Sequence, residues 1–121
     1  MKSKDLVQKL FQFQSELKLY HWQTFSYARH KASDKLVSTT IDFIDIFIES
    51  YMGKYQRVRS PNTITIRTGI NDTNVVKKVI EPFLAFLKEF DVIFRQDTEL
   101  INLKDEFVAS IQKTKYLFTL K

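Results

Sequence analysis

The chain has 121 residues, 44% hydrophobic and 27% charged, which fits one folded domain over residues 1–121 and excludes a disordered tail. Cysteine is absent and glycine occurs only at Gly53 and Gly69, so disulfides, thiolate metal sites, cysteine nucleophiles and Gly-rich phosphate loops are ruled out. The formal charge of +5 would suit an acidic partner, yet only Lys2/Lys4/Lys9 and Lys54/Arg57/Arg59 form local basic clusters, and residues 91–121 carry five basic and five acidic side chains.

No apolar run approaches the ~20 residues of a bilayer span, and Met1-Lys2-Ser3-Lys4-Asp5 lacks the apolar stretch of a secretion signal. A soluble, intracellular (cytoplasmic) protein with no membrane partner is the expectation. Along the chain, Leu6, Leu10, Phe13, Leu17 and Tyr20 recur in the three- and four-residue steps of an amphipathic helix. After a break around Thr24–Ser26, the residues Leu36, Val37, Ile41, Ile44, Phe47, Ile48 and Tyr51 predict a second helix with a wide apolar surface, stopped by Gly53. Between Gly53 and Asn74 the pattern breaks. Ser60-Pro61-Asn62 is turn chemistry, and Thr63–Thr68 alternates with the period of an extended segment.

Asp72, Thr73 or Asn74 is placed to cap a third helix carrying Val75, Val79, Ile80, Phe83, Leu87, Phe90 and Phe94, with Pro82 as a kink. A last helix opens near Asp97-Thr98-Glu99 and carries Leu100, Leu103, Phe107, Val108, Ile111 and Phe118. Short link, long crossover, short link: the reading is an all-α, ferritin-like four-helix bundle with a long crossover between helices 2 and 3.

Both histidines fall among residues able to serve a metal. His21 ends the first helix beside Trp22, and His30 and Asp34 are four apart near the start of the second, on one face. Asp45 and Glu49 repeat that spacing. With Asp42, these carboxylates interrupt a helix rich in Ile, Phe and Leu, where a buried carboxylate needs a cation or a donor. Imidazole with carboxylate suits Fe(II), Zn(II) or Mn(II). From His30 to Asp45 is about 22 Å of helix with a net rotation of about 60°, so one chain cannot bring both pairs to one ion. A two-fold pairing of second helices crossing at Ser38-Thr39-Thr40 would set His30/Asp34 of one copy beside Asp45/Glu49 of the other.

The set His21-Trp22, His30-Lys31-Ala32-Ser33-Asp34 and Asp45-Ile46-Phe47-Ile48-Glu49 resembles the ferroxidase signature of Dps proteins, the miniferritins named as DNA-binding proteins from starved cells. The interval from His21 to His30 is shorter than in that family. The longer string Leu19–Ala32 with Tyr51-Met52-Gly53-Lys54-Tyr55 looks more like small ferritin-like proteins of large DNA viruses. The resemblance implies iron (Fe2+/Fe3+) at a subunit-shared site, with Zn2+ or Mn2+ as alternatives, in a homodimer or a dodecameric cage. It also implies Trp22 as a redox-active neighbour and a function in iron storage or oxidative protection. A virion-associated location goes with the viral resemblance.

Plainer roles compete with these. His21 alone would be a helix-end histidine satisfied by a backbone carbonyl, and Asp34 a solvated residue. Asp45 or Glu49 would pair with Arg29, Lys31 or Lys35 of a neighbour. Trp22 and Tyr27 would be core aromatics, and Asp42 a surface or interface residue. The rival function is a non-enzymatic ferritin-like structural, DNA-binding or virion-assembly protein, with Lys2, Lys4 and Lys9 on nucleic acid and Zn(II) or nothing at the site.

Overall fold

A computed structural model describes residues 1–121. The protein is all-α, without a strand. Helix α1 runs Ser3–Gln23 and α2 Tyr27–Lys54, joined by a three-residue turn. Ser26 caps α2 by accepting from the Arg29 N–H at 3.2 Å. Gly53 does not stop α2. The helix continues through it to Lys54, because a glycine ends a helix only where the chain turns left-handed, and the positive φ of this chain is at Gly69 (75°).

The third column starts with a π-helical turn, Val76–Ile80, followed by α3 (Glu81–Lys88) and α4 (Phe90–Ile93). Pro82 accounts for the π turn. It has no N–H to return to the preceding turn, and widening that turn lets Glu81 N–H reach the Val76 carbonyl instead. Helix α5, Thr98–Leu117, is the last column.

Hydrogen bonds fix the direction of each column. Residues 55–75 form a strap along α1: Arg59 N–H bonds Ser3 Oγ, Thr65 and Gln8 bond each other, Arg67 bonds Glu16, and Tyr20 donates to Asp72. The strap therefore climbs from the start of α1 to its end. The third column then descends beside α1 and α5, and α5 returns to place the Phe118 carbonyl 3.1 Å from Arg29 Nε. The order is up, down, down, up. The extended reading of Thr63–Thr68 holds in conformation, but the segment pairs with side chains of α1 rather than with a strand.

Every column supplies phenylalanine to the core. Phe13 stacks on Phe83 at 3.9 Å, Phe43 on Phe107 at 4.2 Å, and Phe47 packs against Phe90 at 5.3 Å. Three buried charges are each matched. Glu16 takes Arg67 Nη2 at 2.9 Å, Asp97 takes Lys54 Nζ at 2.6 Å with the Tyr55 hydroxyl, and Lys104 reaches Asp91 and Asp105. Asp97 thus secures the α2 end to the α5 start with its side chain and leaves the helix N–H groups uncapped by it.

Two expectations about burial are overturned. Trp22 and Tyr27 are not core aromatics: they are 65% and 74% exposed, since Tyr20, His21 and Ala32 fill the interior of the corner that they flank. Asp45 and Glu49 are not buried among apolar residues either, and Asp42 is a surface residue as expected. They lie on the outer face of α2, whose inner face is Leu36, Val37, Phe43, Ile44 and Phe47.

Candidate metal site at the α1–α2 corner

The turn at Thr24–Ser26 brings the end of α1 and the start of α2 together, and His21 and His30 meet there with rings 4.1 Å apart and 17° from parallel. Each ring is held by the other residue's backbone. His21 Nδ1 lies 2.9 Å from the His30 carbonyl, and His30 Nδ1 lies 3.0 Å from the His21 carbonyl. A carbonyl only accepts, so both Nδ1 atoms carry a proton, and in the neutral form of each ring Nε2 is the lone-pair donor. Ser33 Oγ, 3.2 Å from His21 Nδ1, adds a second acceptor. A hydrogen bond from one imidazole nitrogen to a carbonyl is the usual way a ligating histidine is oriented, with the other nitrogen left for the metal.

His21 is buried, and its Nε2 lies 3.7 Å from Asp34 Oδ1, a carboxylate that is 67% exposed. The three residues expected from one chain thus come to one corner. They do not form a closed cation-binding group, and no three His, Cys, Asp or Glu side chains of the chain do. Asp45 and Glu49 stand further along the same helix. With Asp34, Ser38 and Ile41 they form one exposed stripe at steps of three and four residues. Thr40 is not part of that stripe, contrary to the crossing expected at Ser38-Thr39-Thr40. It is buried, and its hydroxyl donates to the Leu36 carbonyl at 2.7 Å.

Arg29 is not a partner for the outer carboxylates. Its guanidinium donates to the Phe118 carbonyl, the Asp72 carbonyl and the Tyr20 hydroxyl. Asp72 is also not the cap of the third helix. Its carboxylate accepts from Tyr20 OH at 2.7 Å, Thr24 Oγ1 at 2.5 Å and Phe25 N–H, fastening the strap to the turn that carries both histidines. Partial burial pushes the Asp72 carboxyl up, but these donors and Arg29 outweigh it and hold it below the ordinary aspartate range. Sequence reasoning missed this network. Its one visible signal was an aspartate in a segment without helical pattern.

Trp22 follows His21 directly and is exposed, with Lys18 Nζ 5.4 Å from the ring centroid. Lys2, Lys4 and Lys9 are exposed at the opposite end and flank of α1. No helix is long and apolar enough to cross a membrane.

The architecture defines an all-α protein whose histidines are locked as a pair at one corner. Residues 21–118 match the family of unknown function DUF5856, and the chain belongs to that family. It is 28% identical over 102 residues, 84% of this chain and 75% of the other, to an uncharacterized 14.6 kDa protein of the mobD-ri intergenic region of Enterobacteria phage T4. No solved structure matches the chain.

Proposed function

We propose that the protein is a ferritin-like, Dps-like iron protein that takes Fe(II) as substrate at sites shared between two copies. The observation that carries this reading is the reciprocal lock of His21 and His30, which occupies both Nδ1 atoms and sets the His21 Nε2 3.7 Å from the Asp34 carboxylate. The up, down, down, up order with one long crossover is that of ferritin-like bundles and supports it. In the pairing proposed, His21, His30 and Asp34 come from one chain and Asp45 and Glu49 from its mate. Three carboxylates brought together would repel one another, and a cation between them removes that cost.

The donor set fits iron in both states. Imidazole accommodates Fe(II), and the carboxylates favour the higher charge of Fe(III). Two Fe(II) ions each lose one electron to hydrogen peroxide, whose O–O bond breaks to give two hydroxides; dioxygen is the other oxidant of this class. Trp22 lies beside the site as a side chain able to absorb oxidising equivalents. The homodimer is the smallest functional unit of this reading, with a larger cage as its extension. The phage origin of the relative supports a viral setting for the protein.

The test is subunit complementation. His30→Ala and Asp45→Ala are each expected to abolish rapid Fe(II) oxidation, measured anaerobically loaded and then mixed with peroxide. Mixed after reversible unfolding, half of the dimers are hybrids with one intact site of two, so about a quarter of the wild-type rate returns. No recovery on mixing would refute the shared site. A protein that ignores Fe(II) altogether would leave the structural or nucleic-acid-binding role.

A further inference from the structure

Lys2 and Lys4 of the first basic cluster and Arg59 of the second, more than fifty residues apart in the chain, meet at the end of the bundle opposite the histidines. A cavity of about 520 Å³ lies there between the start of α1 and the beginning of the strap. Lys2, Lys4 and Arg59 line it with Ser60, Asn62 and Gln56, and no carboxylate does. None of the three cations has an ion-pair partner, whereas Lys54, Arg67, Lys104 and Lys115 all do. Nor do the side chains of Gln56, Ser60 and Asn62 bond to any other group of the protein. The position of Arg59 is set by its backbone, whose N–H donates to Ser3 Oγ at 3.0 Å, leaving the guanidinium available.

A second cavity of about 240 Å³ adjoins the first and shares Met1, Ser3 and Tyr51 with it. Its remaining walls are Leu6, Tyr55, Ile93 and Phe94. Tyr51 therefore stands between a cationic compartment and an apolar one lined by aromatic rings, with Tyr55 5.2 Å and Phe94 6.2 Å from its ring centroid. A cluster of unpaired cations with free amide and hydroxyl groups matches phosphate oxygens, and an aromatic-walled slot matches a flat ring.

We propose that this paired cavity binds a nucleoside phosphate, the phosphates held by Lys2, Lys4 and Arg59 and the base in the slot of Tyr51, Tyr55, Ile93 and Phe94. The site is independent of the iron reading, since α1 alone separates it from His21 by about 30 Å. Free inorganic phosphates share the charge of the ligand but not its ring, and the two are told apart by affinity.

Isothermal titration calorimetry of the full chain without divalent metal, with ATP and with inorganic triphosphate, tests the assignment. ATP is expected to bind at least tenfold more tightly than triphosphate. Arg59→Ala should weaken both by tenfold or more, Ile93→Ser should weaken ATP alone, and Lys113→Ala, outside the cavity, should change neither. Circular dichroism of each variant checks that the helices persist. Equal affinity for the two ligands, no saturable binding by ATP, or equal losses in Arg59→Ala and Lys113→Ala would each overturn the proposal.

Discussion

His21 and His30 hold each other in place: stacked at 4.1 Å, each donates its Nδ1–H to the carbonyl of the other. The neutral rings are thereby both fixed in the Nδ1–H tautomer before any ligand arrives. Long-range ¹H–¹⁵N spectra of the neutral protein should show two imidazoles with the unprotonated-nitrogen signature at Nε2. His30→Ala should remove the Nδ1–H donor to the His21 carbonyl at a cost of about 1 kcal/mol, the net worth of one hydrogen bond, while His21 keeps the backbone carbonyl of residue 30 as acceptor and its Nδ1–H tautomer. An Nε2–H form of either ring in the wild type would contradict the arrangement.

The corner holding these rings depends on Asp72, a residue of the strap. Asp72→Ala leaves Tyr20 OH, Thr24 Oγ1 and the Phe25 N–H without their acceptor. A loss of about 2–3 kcal/mol in urea unfolding is expected, since the network surrounds a fully buried tyrosine. Asp72→Asn, keeping one acceptor oxygen, should lose less. Chemical shifts of His21 should move in Asp72→Ala although the two side chains do not touch.

Glu16 gives the fold an acid limit. Burial pushes its carboxyl up, but hydrogen bonds from the Arg67 side chain and backbone N–H and from Gln12, with the Arg67 charge, leave it below the ordinary glutamate value of 4.5. The unfolded chain therefore binds this proton more readily than the folded one. The stabilisation is complete above pH 4.5 and is lost as the pH falls through the lower folded value. Arg67→Ala should cost about 1–3 kcal/mol at pH 7, and its difference from wild type should shrink below pH 4.5. A difference independent of pH would show that Arg67 acts through packing alone.

The apolar faces of the helices were legible in the chain because a helix repeats its geometry every few residues. Leu6, Leu10, Phe13 and Leu17 are buried as their spacing requires, and so are Phe83, Leu87 and Phe90 despite the π turn in front of Pro82. The grouping of His21, His30 and Asp34 was legible too, since both histidines flank a single short turn. Asp45 and Glu49 were read correctly as one helical pair, yet their surroundings were not: a carboxylate between isoleucines in sequence sits on the outer stripe of α2 in space.

What the amino-acid sequence determined by itself was local: helix periods, the turn at Thr24–Ser26, and which side chains could ligate an ion. The tertiary structure alone decided the partners of the buried charges. Glu16 meets Arg67 across 51 positions, Asp97 meets Tyr55 across 42, and Tyr20 meets Asp72 across 52. Pairing at that range depends on the path of the strap, which has no helical period to read and only a short alternating stretch at Thr63–Thr68. The same holds for Trp22, whose apolar ring is left in solvent because the interior of its corner is already filled by Tyr20, His21 and Ala32, a limit set by packing volume rather than by residue type.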